Sequence, residues 1–408
     1  MMHPVTPAFK ITTQRFQRLA CRLVLLCLLL LPATGFPAQK GTERLLDESL
    51  REELAYLLSF VGAEAAGKET FQLERVSALI KFVAGTKDPR ALYHAGTYNS
   101  AVSAYDERDI HRSLSDILYL TYNPDIPSAV LMPASIRLSY WTTIDPSKQA
   151  LAEFHNPRPT SNGPQFIRGI EHIVNTPDQH SEAYFEYDLY RTLIRLQYAG
   201  RPVVISLSRQ KGVSDVGKKG VIVGPDDNWD YLYTGQPGIS YAGLGWVKSY
   251  MYDSYSVSFC IETDPAAPLV RFGVFKWLRA GWAGINLARP AHIYSGLERF
   301  GEGLQKILEN PRLADVTAVG RYFAPLKNLS DEEQRKIITR YLSEIEIKYR
   351  REKRSSDGQL DDLFNPAHVL DGLKTDERQA LIALAYMKNL LGSAPNRELT
   401  FLNPKPAK

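Results

Sequence analysis

Four segments between Pro202 and Glu262, "PVVISLSRQ", "GVIVG", "WDYLYTG" and "SVSFCIE", constrain this chain more than any other feature. In the last of them Val257, Phe259 and Ile261 share one parity, and Ser256, Ser258 and Cys260 share the other. Successive side chains of a strand point to opposite faces, so this alternation predicts strands with two unlike faces. "GPDDNW" separates the second segment from the third and sets Pro225 where a tight turn needs it, which predicts an antiparallel hairpin.

Helical spacing surrounds this β region. Leu46, Leu50, Leu54 and Leu57, then Phe71, Leu73, Val76, Leu79, Ile80 and Val83 after Gly67, predict a helical hairpin over Thr42 to Gly85. A helix is expected from Asp109 to Leu120, and Ile136, Leu138 and Tyr140 alternate as a first strand. "SEAYFEYDLYRTLIRLQYAG" opens on Ser181, closes on Gly200 and places Phe185, Leu189, Leu193 and Leu196 at helical spacing. It reads as a helix, with a hairpin strand as the alternative. Phe275, Leu278, Trp282 and Ile285 lie on one stripe and predict a further helix, followed by another from Ala291 to Leu308. The tail is helical and charged, and Lys348 to Gln359 is expected to be a solvated linker or an exposed helix end.

The expected fold is α+β: a twisted antiparallel sheet packed against helices, with helical N-terminal and C-terminal extensions. The expected boundaries are a signal peptide at 1–38, a helical segment at 39–90, a central α+β domain at 91–309 and a helical extension at 310–408. A fragment of residues 39–310 is expected to fold alone, since the sheet and the two helices after it are complete by then.

The signal reading rests on Lys10, Arg15, Arg18 and Arg22, with no acid among them, ahead of the apolar run Leu23 to Leu31 and small residues. Four of the 49 Lys and Arg precede residue 39 and none of the 45 Asp and Glu do. Without that segment the chain carries 45 of each and is neutral, which argues against a nucleic-acid partner. Cys21 and Cys27 would leave with the signal, and a lone Cys260 would make the exported chain free of internal disulfides. Periplasm or extracellular medium is the expected location.

Catalytic motifs do not survive inspection of their context. Gly212 to Lys218 spells G-x-x-x-x-G-K, but Lys219 stands where a phosphate loop needs Ser or Thr, and a strand rather than a helix follows. Asp226, Asn228 and Asp230 imitate the start of a calcium loop, yet the sixth position is Tyr231 and the twelfth is Pro237. His172, His180 and Glu182 are candidate catalytic groups if the loop from Glu171 to Glu182 folds back, but their spacing matches no metal template. Neither a metal nor another cofactor is expected.

Tyrosine is the strongest compositional bias: ten of 22 lie between Tyr184 and Tyr255. A ring with one polar tip suits a half-buried sheet, and suits equally a cleft that grips an apolar or sugar molecule. We therefore expect a noncatalytic exported binding protein with a cleft between the sheet and the Trp277 helix. Its lining is drawn from Tyr231, Tyr233, Tyr250, Tyr252, Phe275, Trp277 and Trp282. The alternatives are a secreted hydrolase using the His172–Glu182 loop, and an envelope scaffold whose C-terminal helices bind another protein. Peripheral membrane contact through Trp277, Trp282 and the nearby Arg271, Lys276 and Arg279 also fits the composition.

Overall fold

The computed structural model describes residues 41–65, 70–88, 90–155, 163–241, 245–264, 266–352, 364–365, 369–370 and 373–393. The segment expected to be a signal peptide, residues 1–38, lies outside the described residues. Glu43 to Lys408 form one compact unit.

Its principal elements are α1 (Glu48–Leu58), α2 (Ser77–Ala84), β1 (Val102–Ile110), α3 (Leu114–Tyr122), β2 (Ile136–Asp145), β3 (Gln165–Asn175), β4 (Glu186–Tyr198), β5 (Arg201–Gln210), β6 (Lys218–Ile222), β7 (Tyr231–Pro237), β8 (Tyr250–Asp264), β9 (Leu269–Trp282), α4 (Pro290–Leu308), α5 (Val316–Phe323), α6 (Asp331–Glu352) and α7 (Thr375–Leu391). An eight-stranded antiparallel sheet runs in the order β9, β8, β5, β4, β3, β2. Both β1 and the short pair Ile285–Asn286 lie along the outer edge of β9. The fold is α+β, as the residue patterns predict.

Helices cover the sheet on both faces. Val203, Ile205 and Leu207 of β5, Val257, Phe259 and Ile261 of β8, and Phe275 and Trp277 of β9 pack with Leu54 and Leu57 of α1 and Leu79, Ile80 and Val83 of α2. On the opposite face Leu193, Val204, Val270, Phe272 and Val274 join the apolar sides of α3 to α7. Local chemistry holds the first layer. The Glu53 carboxylate of α1 accepts from the amides of Ala78 (3.3 Å) and Leu79 (2.6 Å), satisfying donors left over at the start of α2. Gly273 lets α2 approach, because a Cβ there would lie 2.7 Å from Val83 Cγ1.

This two-sided cover corrects two expectations. Ser181 to Gly200 is mostly strand β4, the alternative reading, and the stretch expected to be the Trp277 helix is strand β9. In a strand buried on both faces both parities are apolar, so the period of two disappears and chance helical spacing takes its place. β9 pairs with β8 in unbroken register from Ser254 opposite Leu278 to Glu262 opposite Val270. The predicted hairpin of "GVIVG" and "WDYLYTG" is present as β6 and β7, with Ile222 opposite Tyr231.

The C-terminal helices share the main core. Ile338, Tyr386 and Met387 are fully enclosed in the cluster that contains Leu193 and Val204 of the sheet. Residues 39–310 alone would keep α3 and α4 on that face but lose the apolar surface of α5 to α7 that shares the same core, against the expectation that they stand by themselves.

Candidate ligand pocket

The β6–β7 hairpin, joined by Ala183–Tyr184 as a third strand, extends from the sheet and meets the C-terminal helices. Its turn is held from within. Trp229 takes a left-handed conformation (φ 56°) and is 1% exposed. Arg299 of α4 donates to Asp226 through Nη2 (2.7 Å), to the Tyr231 hydroxyl (2.9 Å) and to the Pro177 carbonyl (3.2 Å). Tyr231 in turn donates to Asp226 Oδ1 at 2.8 Å, and burial pushes its hydroxyl well above the usual phenol range. With Asp226 bound to Arg299 and Asp230 to Lys348 and Lys388, both carboxylates of the calcium-like triplet are taken up by ion pairs.

Between this hairpin and α6–α7 lies a pocket, partly open to solvent. Trp229, Tyr231, Leu232 and Tyr233 form one wall. Tyr341 and Leu342 of α6 and Ala380, Leu381 and Leu384 of α7 form the other, with Arg137 and Thr176 among the few polar members. Arg137 lies 3.9 Å from the centroid of the Tyr233 ring and pairs with Glu377 at 3.2 Å. Thr176 donates to the Ala134 carbonyl at 2.8 Å. The polar groups of this wall are thus already engaged, and what faces the space is apolar.

Tyr341 is the exception. It is 5% exposed, and its hydroxyl, closed off from solvent, has no hydrogen-bond partner among the described residues. Burial holds its proton far more tightly than an exposed phenol would. Tyr341 also lines a smaller neighbouring recess with Asp230, Glu344, Ile345, Lys348, Ala385 and Lys388. There the Asp230 carboxylate, 1% exposed, accepts from Lys348 at 2.6 Å and from Lys388. Desolvation lowers the Lys388 pKa and outweighs the attraction of Asp230.

Of the seven aromatic residues expected to line one cleft, the structure brings Tyr231 and Tyr233 together at this pocket. Phe275 and Trp277 lie on the opposite face of the sheet, where Phe275 stacks on Tyr105 at 4.3 Å and Trp277 meets Tyr98. Tyr250, Tyr252 and Trp282 sit at one end of the β8–β9 hairpin. Tyr252 accepts there from the Gly284 amide at 2.8 Å. The helix expected to close the cleft is β9 itself, and α6 and α7 supply the closing wall instead.

The catalytic candidates are dispersed. His172 lies on β3 and its Nδ1 is 2.9 Å from Asp188 Oδ1. His180 packs its ring 5.1 Å from His292, and Glu182 sits in a turn with φ 53°. Asp178 accepts from the amides of His180 (3.0 Å) and Ser181 (2.8 Å), so its carboxylate serves the turn. Among the described residues no three His, Cys, Asp or Glu side chains converge to hold a metal ion. Lys218 of the phosphate-loop imitation begins β6 and faces Glu186 at 3.5 Å.

No known protein family, characterised protein or solved structure matches the chain. Pro133, Tyr341, Leu381 and Leu384 were missed because their relation to Tyr231 is purely tertiary. The one sequence signal that touched the pocket is the tyrosine alternation of "WDYLYTG".

Proposed function

We propose that this is an exported, noncatalytic binding protein whose pocket between the β6–β7 hairpin and the C-terminal helices takes an apolar small molecule bearing a hydrogen-bond acceptor. The observation that carries the reading is the Tyr341 hydroxyl, a buried donor left without a partner at the wall of an apolar space. A buried polar group without a partner costs about 1–3 kcal/mol, and a ligand oxygen that accepts from it would recover that. A concave pocket that is mostly apolar with few polar groups has the character of a small-molecule site. Its largely apolar lining, with few polar groups free to meet hydroxyls, favours a hydrocarbon-rich guest over a sugar.

Mass spectrometry of small molecules extracted from natively purified protein tests this directly. Retained apolar compounds are expected from the native chain and are expected to be absent from Leu381→Trp, which fills the space. Tyr341→Phe should retain the fold and weaken binding by roughly two- to tenfold, the contribution of one hydrogen bond. Equal retention by native protein and Leu381→Trp would refute the assignment. Export is tested by N-terminal sequencing of secreted material, with a start between Phe36 and Gln39 expected.

A further inference from the structure

The centre of the sheet has a polar side that the apolar pocket does not use. Lys276 of β9 stands opposite Ser256 of β8, Ser256 opposite Ser208 of β5, and Ser208 opposite Arg191 of β4. This row crosses four adjacent strands on the side that faces α3. Ser208 and Ser256 are hydrogen-bonded at 2.6 Å, and Lys276 Nζ donates to Ser254 Oγ at 2.7 Å. Arg191 pairs with Glu171 and donates to Ser206 Oγ at 3.0 Å. Glu171 therefore neutralises Arg191, and among the described residues Lys276 has no carboxylate partner. Among the described residues the cluster thus holds one positive charge with no carboxylate beside it.

Two further groups complete it. Tyr187 shares the side of β4 that carries Arg191, Tyr122 of α3 packs against the core on that face, and burial pushes both hydroxyls well above the usual phenol range. Neither hydroxyl has a hydrogen-bond partner among the described residues. Gln210 of β5 is 8% exposed and donates to the carbonyls of Gly212 and Met251, leaving its buried Oε1 without a partner. The other side of the same strands is packed shut, with Ile205, Leu207, Val257, Phe259 and Phe275 each 0% exposed. Ser206, Ser256, Ser258, Cys260, Arg191 and Lys276 are only half-buried, so accessible space lies over the polar side.

We propose that this space is a binding site for a small organic carboxylate, held by the Lys276 ammonium and by the hydroxyls of Tyr122 and Tyr187. A carboxylate is acceptor-only and carries the one negative charge that the cluster lacks. Charge-assisted hydrogen bonds to it are short and about twice as strong as neutral ones. An uncompensated ammonium in a desolvated site is otherwise costly, and burial lowers the Lys276 pKa to about 8. Asp106 of β1, on the same side of the sheet and 3.3 Å from Arg108, is raised to about 6 by burial and so stays ionised between pH 7 and pH 9.5. Arg191 is held charged by Glu171, Tyr122 and Tyr187 are pushed upward, and the Cys260 thiol is pushed up to about 12.

The test is calorimetric titration of the full chain with acetate and with propionate, at pH 7 and pH 9.5, in buffers of different ionisation enthalpy. Saturable binding is expected at pH 7. It should weaken by about tenfold or more at pH 9.5, because only the protonated fraction of Lys276 is competent to bind. At pH 8.5 binding should be accompanied by proton uptake. Lys276→Met should melt no lower than the native chain and should lose both the binding and the proton uptake. Tyr187→Phe should keep the proton uptake and bind several-fold more weakly. Absence of saturable binding by either carboxylate would overturn the proposal, as would equal binding to Lys276→Met or binding of inorganic phosphate alone.

Discussion

Asp230 shows how a single buried residue ties distant parts of the chain together. It lies at the start of β7, is 1% exposed, and accepts from Lys348 of α6 and Lys388 of α7. Removing one partner of a buried pair leaves the other charge uncompensated, which costs about 3–5 kcal/mol. Asp230→Ala is expected to fall in that range in a denaturant melt. Combining it with Lys388→Met should recover most of the loss, since the orphaned ammonium is then absent. Lys276 behaves differently because it has no carboxylate to lose. Its pKa falls from 10.5 to about 8 on folding, so between those values the unfolded chain holds a proton that the folded chain has released. Raising the pH through that window favours folding, by on the order of 3 kcal/mol at its upper end. Below about pH 8 both states hold the proton and the slope vanishes. Melts from pH 7 to 10.5, taken as the difference between native protein and Lys276→Met, should show this rise; a flat difference would mean that Lys276 is solvated.

At the scale of the element, β9 is the informative case. Its residues supply the apolar floor for α1 and α2 through Phe275 and Trp277, and the floor for α4 through Val270, Phe272 and Val274. Trp277→Ala should cost about 3–5 kcal/mol, as large-to-small changes at enclosed positions do. Trp282, half-buried at the end of the same strand, should cost markedly less when replaced by Ala. Equal losses would contradict the placement of these two rings on unlike surroundings. Gly273 makes the same point from the other side. An added methyl would meet Val83 Cγ1 at 2.7 Å and the Tyr105 hydroxyl at 2.9 Å, so Gly273→Ala is expected to destabilise by about 1–3 kcal/mol through overpacking of α2.

At the scale of the whole molecule, a sheet covered on both faces makes the two helical ends interdependent with its centre. Truncation after Asn310 removes α5, α6 and α7, and with them the enclosed residues Ile338, Tyr386 and Met387 and the wall that faces the hairpin residue Trp229. A fragment of residues 39–310 is therefore expected to be insoluble or to lack a cooperative melt, and a sharp two-state transition from it would show that α5 to α7 are dispensable. The same truncation deletes Tyr341, Leu381 and Leu384, hence the outer wall of the pocket. No helix among the described residues is long and apolar enough to cross a membrane.

The amino-acid sequence by itself determined the α+β class, the antiparallel hairpin of β6 and β7, and the helices α1, α2 and α4. These follow from local periodicity and turn chemistry, which act over a few residues. It also placed Tyr231 and Tyr233 on one side of a strand. Tertiary structure decided that β4 and β9 are strands, because burial on both faces removes the alternation by which strands are recognised. It decided too that Phe275 and Trp277 turn away from the pocket, since a strand sends neighbouring parities to opposite layers and only packing says which layer holds a cavity. The rest of the candidate site, Tyr341 with its unpartnered hydroxyl and the leucines of α7, lies more than 100 residues from Tyr231 in the chain. No local pattern links residues so far apart; they meet because the sheet's uncovered face had to be buried, and the C-terminal helices were the apolar surface available to bury it.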